Sequence, residues 1–281
     1  MAVQLIAMDM DGTLLNKAQQ ITPATLEALR LAQKKGVKLA ICSGRCVGDS
    51  GLFALKYGFE DICVSIEDMA ILGLNGAYCL ENPRAEAYVN HVMETKTAEY
   101  CWQLARSEKI TMGCFLQNQI AVFQGDTPNE DIFWCGSWGK RPLAPVFLEG
   151  EEAFWNAFQH GMNKMVFIDE SGTKLPQLQK HLETLPQIDV TASWWNNLEL
   201  MPHGIEKGRA VKELAEKLRI SPENVMAIGD YDNDLGMLRY AGVSVAMENA
   251  SESVKKCARY HTLSCEEDGV AEAVRRFVLF S

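Results

Sequence analysis

Val3-Gln4-Leu5-Ile6-Ala7-Met8-Asp9-Met10-Asp11-Gly12-Thr13 joins a short apolar run to two carboxylates one residue apart. An apolar run of this length that stops at acidic residues and Gly has the pattern of a buried parallel strand opening into a loop at its C-terminal end. Ligands of open α/β sheets gather at such ends. A turn at Gly12 is expected to bring both carboxylates towards one pocket. One carboxylate can then attack phosphorus while the other protonates the leaving oxygen and later deprotonates water, which divides a difficult hydrolysis into two steps. Asp9 is read as the nucleophile and Asp11 as the acid/base. On its own the pair also fits an acidic loop that caps the next segment.

Downstream, Thr22 and Pro23 supply an N-cap and a first-turn residue, Leu26, Leu29 and Leu31 follow at near-helical spacing, and Gly36 closes the helix. Lys38 to Cys42 is a second strand. The right-handed β-α-β crossover puts both strand ends on one edge of a parallel sheet, so Asp9 and Ser43 become neighbours. Near the other terminus, Lys207 to Leu218 reads as an amphipathic helix with Val211, Leu214, Ala215 and Leu218 on one side. Val225 to Ile228 follows as a strand that ends in Gly229-Asp230-Tyr231-Asp232-Asn233-Asp234. A helical segment through Leu235 and Leu238 and the strand Val243 to Met247 come next.

Between these halves the texture changes. Lys96 to Lys109 and Lys174 to Leu185 look helical, and Thr111 to Phe123 reads as a hairpin turning near Gln117-Asn118. All six Trp fall between Trp102 and Trp195. The fold class is therefore α/β: a Rossmann-like parallel-sheet core, residues 1–83 and 191–281, interrupted by an α+β insertion at 84–190, with junctions near Pro83 and Val190. The chain shows no repeat and no low-complexity segment. Trp134, Trp138, Trp194 and Trp195 are available to stack on a ligand, but core packing is the preferred reading, because buried aromatics mostly fill volume.

Composition narrows the function classes. The 281 residues are 47% hydrophobic and 23% charged, an ordinary globular balance. A net charge of -10 argues against a nucleic-acid or anionic-membrane surface, since both need concentrated positive charge. Nine Cys without a C-x-x-C pair suit reduced thiols and a cytoplasmic location. Cys42 and Cys46 read as small buried hydrophobes rather than zinc ligands. The N-terminus lacks the features of a signal peptide, and no stretch approaches the roughly 18 to 20 apolar residues of a membrane span.

The remaining candidates add oxygen ligands and cations. Asp230 suits Mg²⁺, a hard ion bound through one or two carboxylates with water and phosphate, while Asn233 and Asp234 suit orienting it or its waters. An EF-hand reading of Asp230, Asp232 and Asp234 fails, because Leu235 stands where Gly is needed and Ala241 where the bidentate Glu is needed. Ser43-Gly44-Arg45 offers a hydroxyl and backbone N–H groups to phosphate, or is a simple turn. Lys207 is placed to neutralise phosphoryl oxygens, or is a solvated surface residue.

Taken in order, Asp9-x-Asp11-Gly12-Thr13, Ser43-Gly44-Arg45, Lys207-Gly208 and Gly229-Asp230-x-x-Asn233-Asp234 resemble the four motifs of the haloacid dehalogenase superfamily, with spacing similar to the Cof-type phosphatases. Asn75-Gly76-Ala77 is similar to a signature ahead of that subfamily's large α+β cap. Ser43 stands where many relatives carry Thr, and Glu206 and Asp232 add negative charge beside the motifs. The resemblance implies Mg²⁺ held by Asp9, the main-chain carbonyl of Asp11, and Asp230, with Asp234 behind them. It also implies phosphate binding by Thr13, Ser43, Gly44, Lys207 and Asn233. The expected activity is a metabolite phosphatase working through an aspartyl phosphate, with sugar phosphates the most typical substrates. A phosphomutase and a phospho-accepting regulatory module are the alternatives. The expected partner is a small phosphorylated metabolite, with neither nucleic acid nor membrane.

Overall fold

The computed structural model describes residues 2–47, 69–116, 119–124, 146–159, 161–192 and 195–280. The chain divides into two compact units, Met1–Val89 with Glu206–Ser281, and Asn90–Ile205. The first stretch carries β1 (Leu5–Met8), α1 (Pro23–Lys34), β2 (Lys38–Cys42), β3 (Met69–Gly73), β4 (Tyr78–Leu80) and β5 (Ala87–Asn90). The second unit follows with α2 (Thr95–Ser107), β6 (Thr111–Leu116), β7 (Gln119–Gln124), β8 (Val146–Glu149), α3 (Gly150–Ala157), β9 (Lys164–Ile168), α4 (Leu175–Leu182), β10 (Ile188–Thr191) and β11 (Asn197–Pro202). The chain then completes the first unit with α5 (Lys207–Lys217), β12 (Val225–Gly229), α6 (Leu235–Tyr240), β13 (Val243–Ala246), α7 (Glu252–Cys257), β14 (Tyr260–His261) and α8 (Gly269–Val274).

The first unit is built on a sheet in the order β14-β13-β12-β1-β2-β3-β4-β5. Its strands from β14 to β3 run parallel, and β4 turns back antiparallel against β3. β1 is central and wholly buried, as its uninterrupted apolar sequence requires of a strand covered on both faces. Met8 is in register with Ile228 on one side and Ile41 on the other, so the three strands end level. Asp9, Ser43 and Asp230 therefore leave the sheet along one edge. Cys42 and Cys46 are both buried, as their apolar reading requires.

Helix α1 begins where Thr22 accepts the Thr25 backbone N–H, with Pro23 in its first turn. Gly36, at φ +85°, supplies the left-handed residue after its end. The face it buries is Leu26, Ala28, Leu29 and Ala32. Leu31 lies off that face and is exposed, because it sits two positions from Leu29 and the helix turns about 100° per residue.

The second unit has its own sheet, in the order β10-β11-β9-β6-β7-β8. β6 and β7 form the expected antiparallel hairpin; its turn at Gln117-Asn118 lies outside the described residues. One apolar cluster gathers Met112, Cys114, Met165, Phe167, Leu198 and Leu200 with α2 and α4. Trp102 is buried in it and meets Trp155 edge-on at 5.6 Å, so these two indoles pack as core. Trp195 is exposed; Trp134, Trp138 and Trp194 lie outside the described residues. Lys164 alternates with Met165 along β9 and pairs with Glu199 at 2.8 Å, both out of solvent. β11 pairs with β9 and β10, which keeps residues 197–202 in this second sheet, downstream of the junction expected near Val190. Among the described residues no helix is long and apolar enough to cross a membrane.

Candidate active site

The backbone of the first loop is tied to the sheet at its origin, where the Asp9 N–H donates to the Ile228 carbonyl at 3.0 Å. It then turns tightly, with the Leu15 N–H donating to the Met10 carbonyl at 2.8 Å. Gly12 has φ +83°, and a Cβ there would fall 2.4 Å from Asp230 Oδ2. Only glycine satisfies both the backbone angle and the close approach of the β12 loop.

Lys207 opens α5 and lies wholly buried. Its ammonium donates to Asp9 Oδ1 and, at 2.6 Å, to Asp234 Oδ1. The second oxygen of Asp234 accepts the backbone N–H groups of Asp230 at 2.9 Å and Tyr231 at 3.0 Å. Asp234 thus folds its own loop around itself and fixes the lysine. Asp230 Oδ1 accepts the Thr13 hydroxyl at 2.7 Å. The first and fourth motifs are therefore joined by the Thr13–Asp230 bond and by Lys207 between Asp9 and Asp234.

Three buried carboxylates, those of Asp9, Asp230 and Asp234, face this one ammonium, with ligand oxygens all within 4.8 Å of one another. Burial pushes the Asp9 carboxyl well up, against the pull of Lys207, and Asp234 adds to the rise. Burial and the neighbouring Asp234 raise Asp230 to about 7. Burial also works against the Lys207 charge, but Asp234 and Asp9 outweigh it and hold the ammonium well above its ordinary value. Such an excess of buried carboxylate oxygen fits a hard divalent cation, whose charge offsets the repulsion. Both Asp234 oxygens are already engaged, so Asp9 and Asp230 are the carboxylates placed to offer ligand atoms.

Asp11 takes a different direction from Asp9. Its half-exposed carboxylate is gripped by Arg45, with Nε 2.7 Å from Oδ2 and Nη2 2.5 Å from Oδ1. Residue types alone left Arg45 without a role beyond its tripeptide. The only signal was its place three residues after the end of β2, and the fork that reaches back 34 residues is visible only in three dimensions. Ser43 is buried and its Oγ accepts the Arg45 N–H at 3.1 Å. Gly44 beside it is half-buried. The Ser43 carbonyl accepts the Asn75 N–H at 2.9 Å, and Asn233 donates to Asn75 Oδ1 at 3.3 Å. Leu74, Asn75 and Gly76 all have positive φ, a left-handed run unusual for Leu, which brings the β3 loop against the second and fourth motifs. Of the two added charges, Asp232 accepts the hydroxyls of Ser251, at 2.9 Å, and Ser253.

Comparison with known proteins agrees with this arrangement. A family model described as haloacid dehalogenase-like hydrolase matches residues 6–274. The chain is 29% identical over 277 residues to a 5-amino-6-(5-phospho-D-ribitylamino)uracil phosphatase of Bacillus subtilis, covering 99% of this chain and 96% of that protein. It is 26% identical over 280 residues to a pyridoxal phosphate phosphatase of Escherichia coli, covering 98% of each. A crystal structure of a haloacid dehalogenase-like hydrolase from Bacteroides thetaiotaomicron superposes with a TM-score of 0.80 at 29% identity, covering 98% of this chain and 99% of that one. A match that spans both flanks and the insertion places the whole chain in one lineage: it belongs to the haloacid dehalogenase-like hydrolase family and, with the Cof-type phosphatases, is a phosphoric monoester hydrolase.

Proposed function

We propose that this protein is a Mg²⁺-dependent phosphatase of small phosphorylated metabolites that works through an aspartyl phosphate on Asp9. The observation that carries the proposal is the buried Lys207 ammonium held between Asp9 and Asp234, with Asp230 beside them. A carboxyl group at the end of a fixed strand, with a cation against it, is a pre-positioned nucleophile.

In the first half-reaction an Asp9 oxygen forms a bond to phosphorus as the bond from phosphorus to the leaving oxygen breaks. That oxygen departs with the electron pair and takes a proton from Asp11. In the second, water attacks the phosphorus of the acyl phosphate, Asp11 accepts the water proton, and Asp9 is released as a carboxylate with inorganic phosphate. Asp9, Asp230 and the main-chain carbonyl of Asp11 would hold Mg²⁺, which would supply positive charge to the phosphoryl oxygens. Lys207 adds a second fixed positive charge. Thr13 keeps Asp230 aligned, Ser43, Gly44 and Asn233 contact the phosphoryl group, and Asp234 holds Lys207 and the loop.

The phosphatase activities named for the two relatives, on a ribitylamino-uracil phosphate and on pyridoxal phosphate, support small polar phosphate esters as the substrate class. Sugar phosphates are the first compounds to try, and cytoplasmic metabolites the pool to draw them from. Asp9→Asn removes the nucleophilic charge while keeping shape. The variant is expected to fold and to lose turnover of p-nitrophenyl phosphate in the presence of Mg²⁺. Turnover at the wild-type rate would exclude the mechanism.

A further inference from the structure

We propose that Arg45 is the positioning residue for the acid/base, and that its guanidinium fork, rather than the nucleophile's own cation, fixes where Asp11 meets the leaving oxygen. The inference rests on the reading of Asp11 as acid/base given above.

Three observations carry it. The fork is bidentate, one N–H on each Asp11 oxygen, which fixes both the position and the plane of the carboxylate. The two partners also differ in exposure: the Arg45 side chain is 4% exposed and that of Asp11 46%, so the arginine is the anchored member and Asp11 the member that faces outward. An ordinary surface pair holds little, because both chains move. Here one does not.

Finally, Arg45 is itself fixed. Its Nη2 donates to Gln19 Oε1 at 2.7 Å, its backbone N–H to Ser43 Oγ at 3.1 Å, and its carbonyl accepts the Leu74 N–H at 2.8 Å. Gln19, which completes the cradle, sits at φ +58° in the loop that follows Asp11. The fork takes one lone pair from each Asp11 oxygen, and a carboxylate has about two on each, so the grip does not by itself use up the capacity of either oxygen. Asp9 and Asp11, one residue apart, are thus assigned to separate cations, Lys207 and Arg45. The acid/base cannot then drift onto the ammonium that serves the nucleophile.

The test uses leaving groups. Expulsion of p-nitrophenolate needs little protonation, whereas an alkoxide needs a well-placed acid. Wild type, Asp11→Asn, Arg45→Ala, Arg45→Lys and Gln19→Leu are compared with Mg²⁺ on p-nitrophenyl phosphate and on the best alkyl phosphate from a metabolite panel. Asp11→Asn is expected to lower kcat on the alkyl ester by about 10² to 10⁴-fold, and far less on the aryl ester. Arg45→Ala is expected to give the same selective loss, tenfold or more, with KM little changed. Arg45→Lys recovers it only in part, because an ammonium cannot make the fork. Equal losses on both esters, or a raised KM with kcat kept, would overturn the proposal by marking Arg45 as structural or as phosphate-binding. If Arg45→Ala does not fold, Arg45→Lys and Gln19→Leu decide by the same selectivity, smaller in size. A flat response in Asp11→Asn would instead sink the acid/base reading itself, so the two failures are distinguishable.

Discussion

Lys207 Nζ and Asp234 Oδ1 lie 2.6 Å apart with both side chains fully shielded from solvent. Asp234 is therefore not a spare carboxylate at the rim of the acidic cluster. It uses its other oxygen to hold the loop that presents Asp230, so one side chain couples the position of the ammonium to that of the candidate metal ligand.

Replacing Lys207 with Met keeps most of its volume but strands Asp9 and Asp234 as uncompensated buried acids. Breaking a buried pair from one side costs about 3–5 kcal/mol. Urea unfolding at neutral pH is expected to show a loss of this size, together with loss of turnover. A variant as stable as wild type would mean that the pair is solvated.

Gly12→Ala places a Cβ 2.4 Å from Asp230 Oδ2 at a backbone angle of φ +83°. The left-handed backbone alone costs about 1–2 kcal/mol in an L-residue. Because the methyl group pushes on a candidate ligand, the concentration of Mg²⁺ for half-maximal activity is expected to rise about 10- to 100-fold. Titration of activity against Mg²⁺ checks it.

Gly208→Ala reverses an ordinary expectation. Within a helix the change to Ala normally stabilises by roughly 0.5–1 kcal/mol. Here the new Cβ would sit 2.4 Å from the Gly236 carbonyl carbon, where α5 crosses α6, and that neighbour is backbone. Overpacking of this kind costs about 1–3 kcal/mol, so the urea midpoint is expected to fall, with an unchanged m-value.

The Asp230 carboxyl is raised from an ordinary 3.8 to about 7, and the sign of its effect on stability follows. Between about pH 4 and pH 7 the folded, cation-free protein keeps a proton that the unfolded chain has released, so this carboxyl's contribution to stability declines as pH rises through that window. A divalent cation competes for the same oxygens and favours the ionised form. The rise in Tm on adding Mg²⁺ is therefore expected to be larger at pH 8 than at pH 5. Equal rises at both would place the cation elsewhere.

Much of this molecule was legible before its coordinates. The apolar run before Asp9, the Thr22-Pro23 helix start and the strand from Val225 each appear within a residue or two of their expected limits, because local patterning decides them. The chemistry-bearing residues were legible as types and as an order along the chain. Their partners were not: the Arg45–Asp11 fork, the Lys207 bridge and the Thr13–Asp230 bond join residues 27 to 217 positions apart, and side-chain geometry, not spacing, selects them. The return to the first unit was also hard to read, since β10 and β11 form a hairpin whose alternation does not say which sheet it extends. The convergence of Asp9 and Asp11 was expected from the turn at Gly12, yet their side chains go to different cations.

β1 lies between β2, which follows it within forty-two residues of the N-terminus, and β12, which begins at Val225. During synthesis on the ribosome, the strand that carries the nucleophile must therefore wait with one flank unpaired while the entire second unit emerges. That long wait exposes a row of backbone donors and acceptors to other nascent chains. Holdase capture of stalled intermediates should accordingly concentrate on chains halted after the second unit has emerged but before the β12 segment has left the exit tunnel, and drop once that segment clears it.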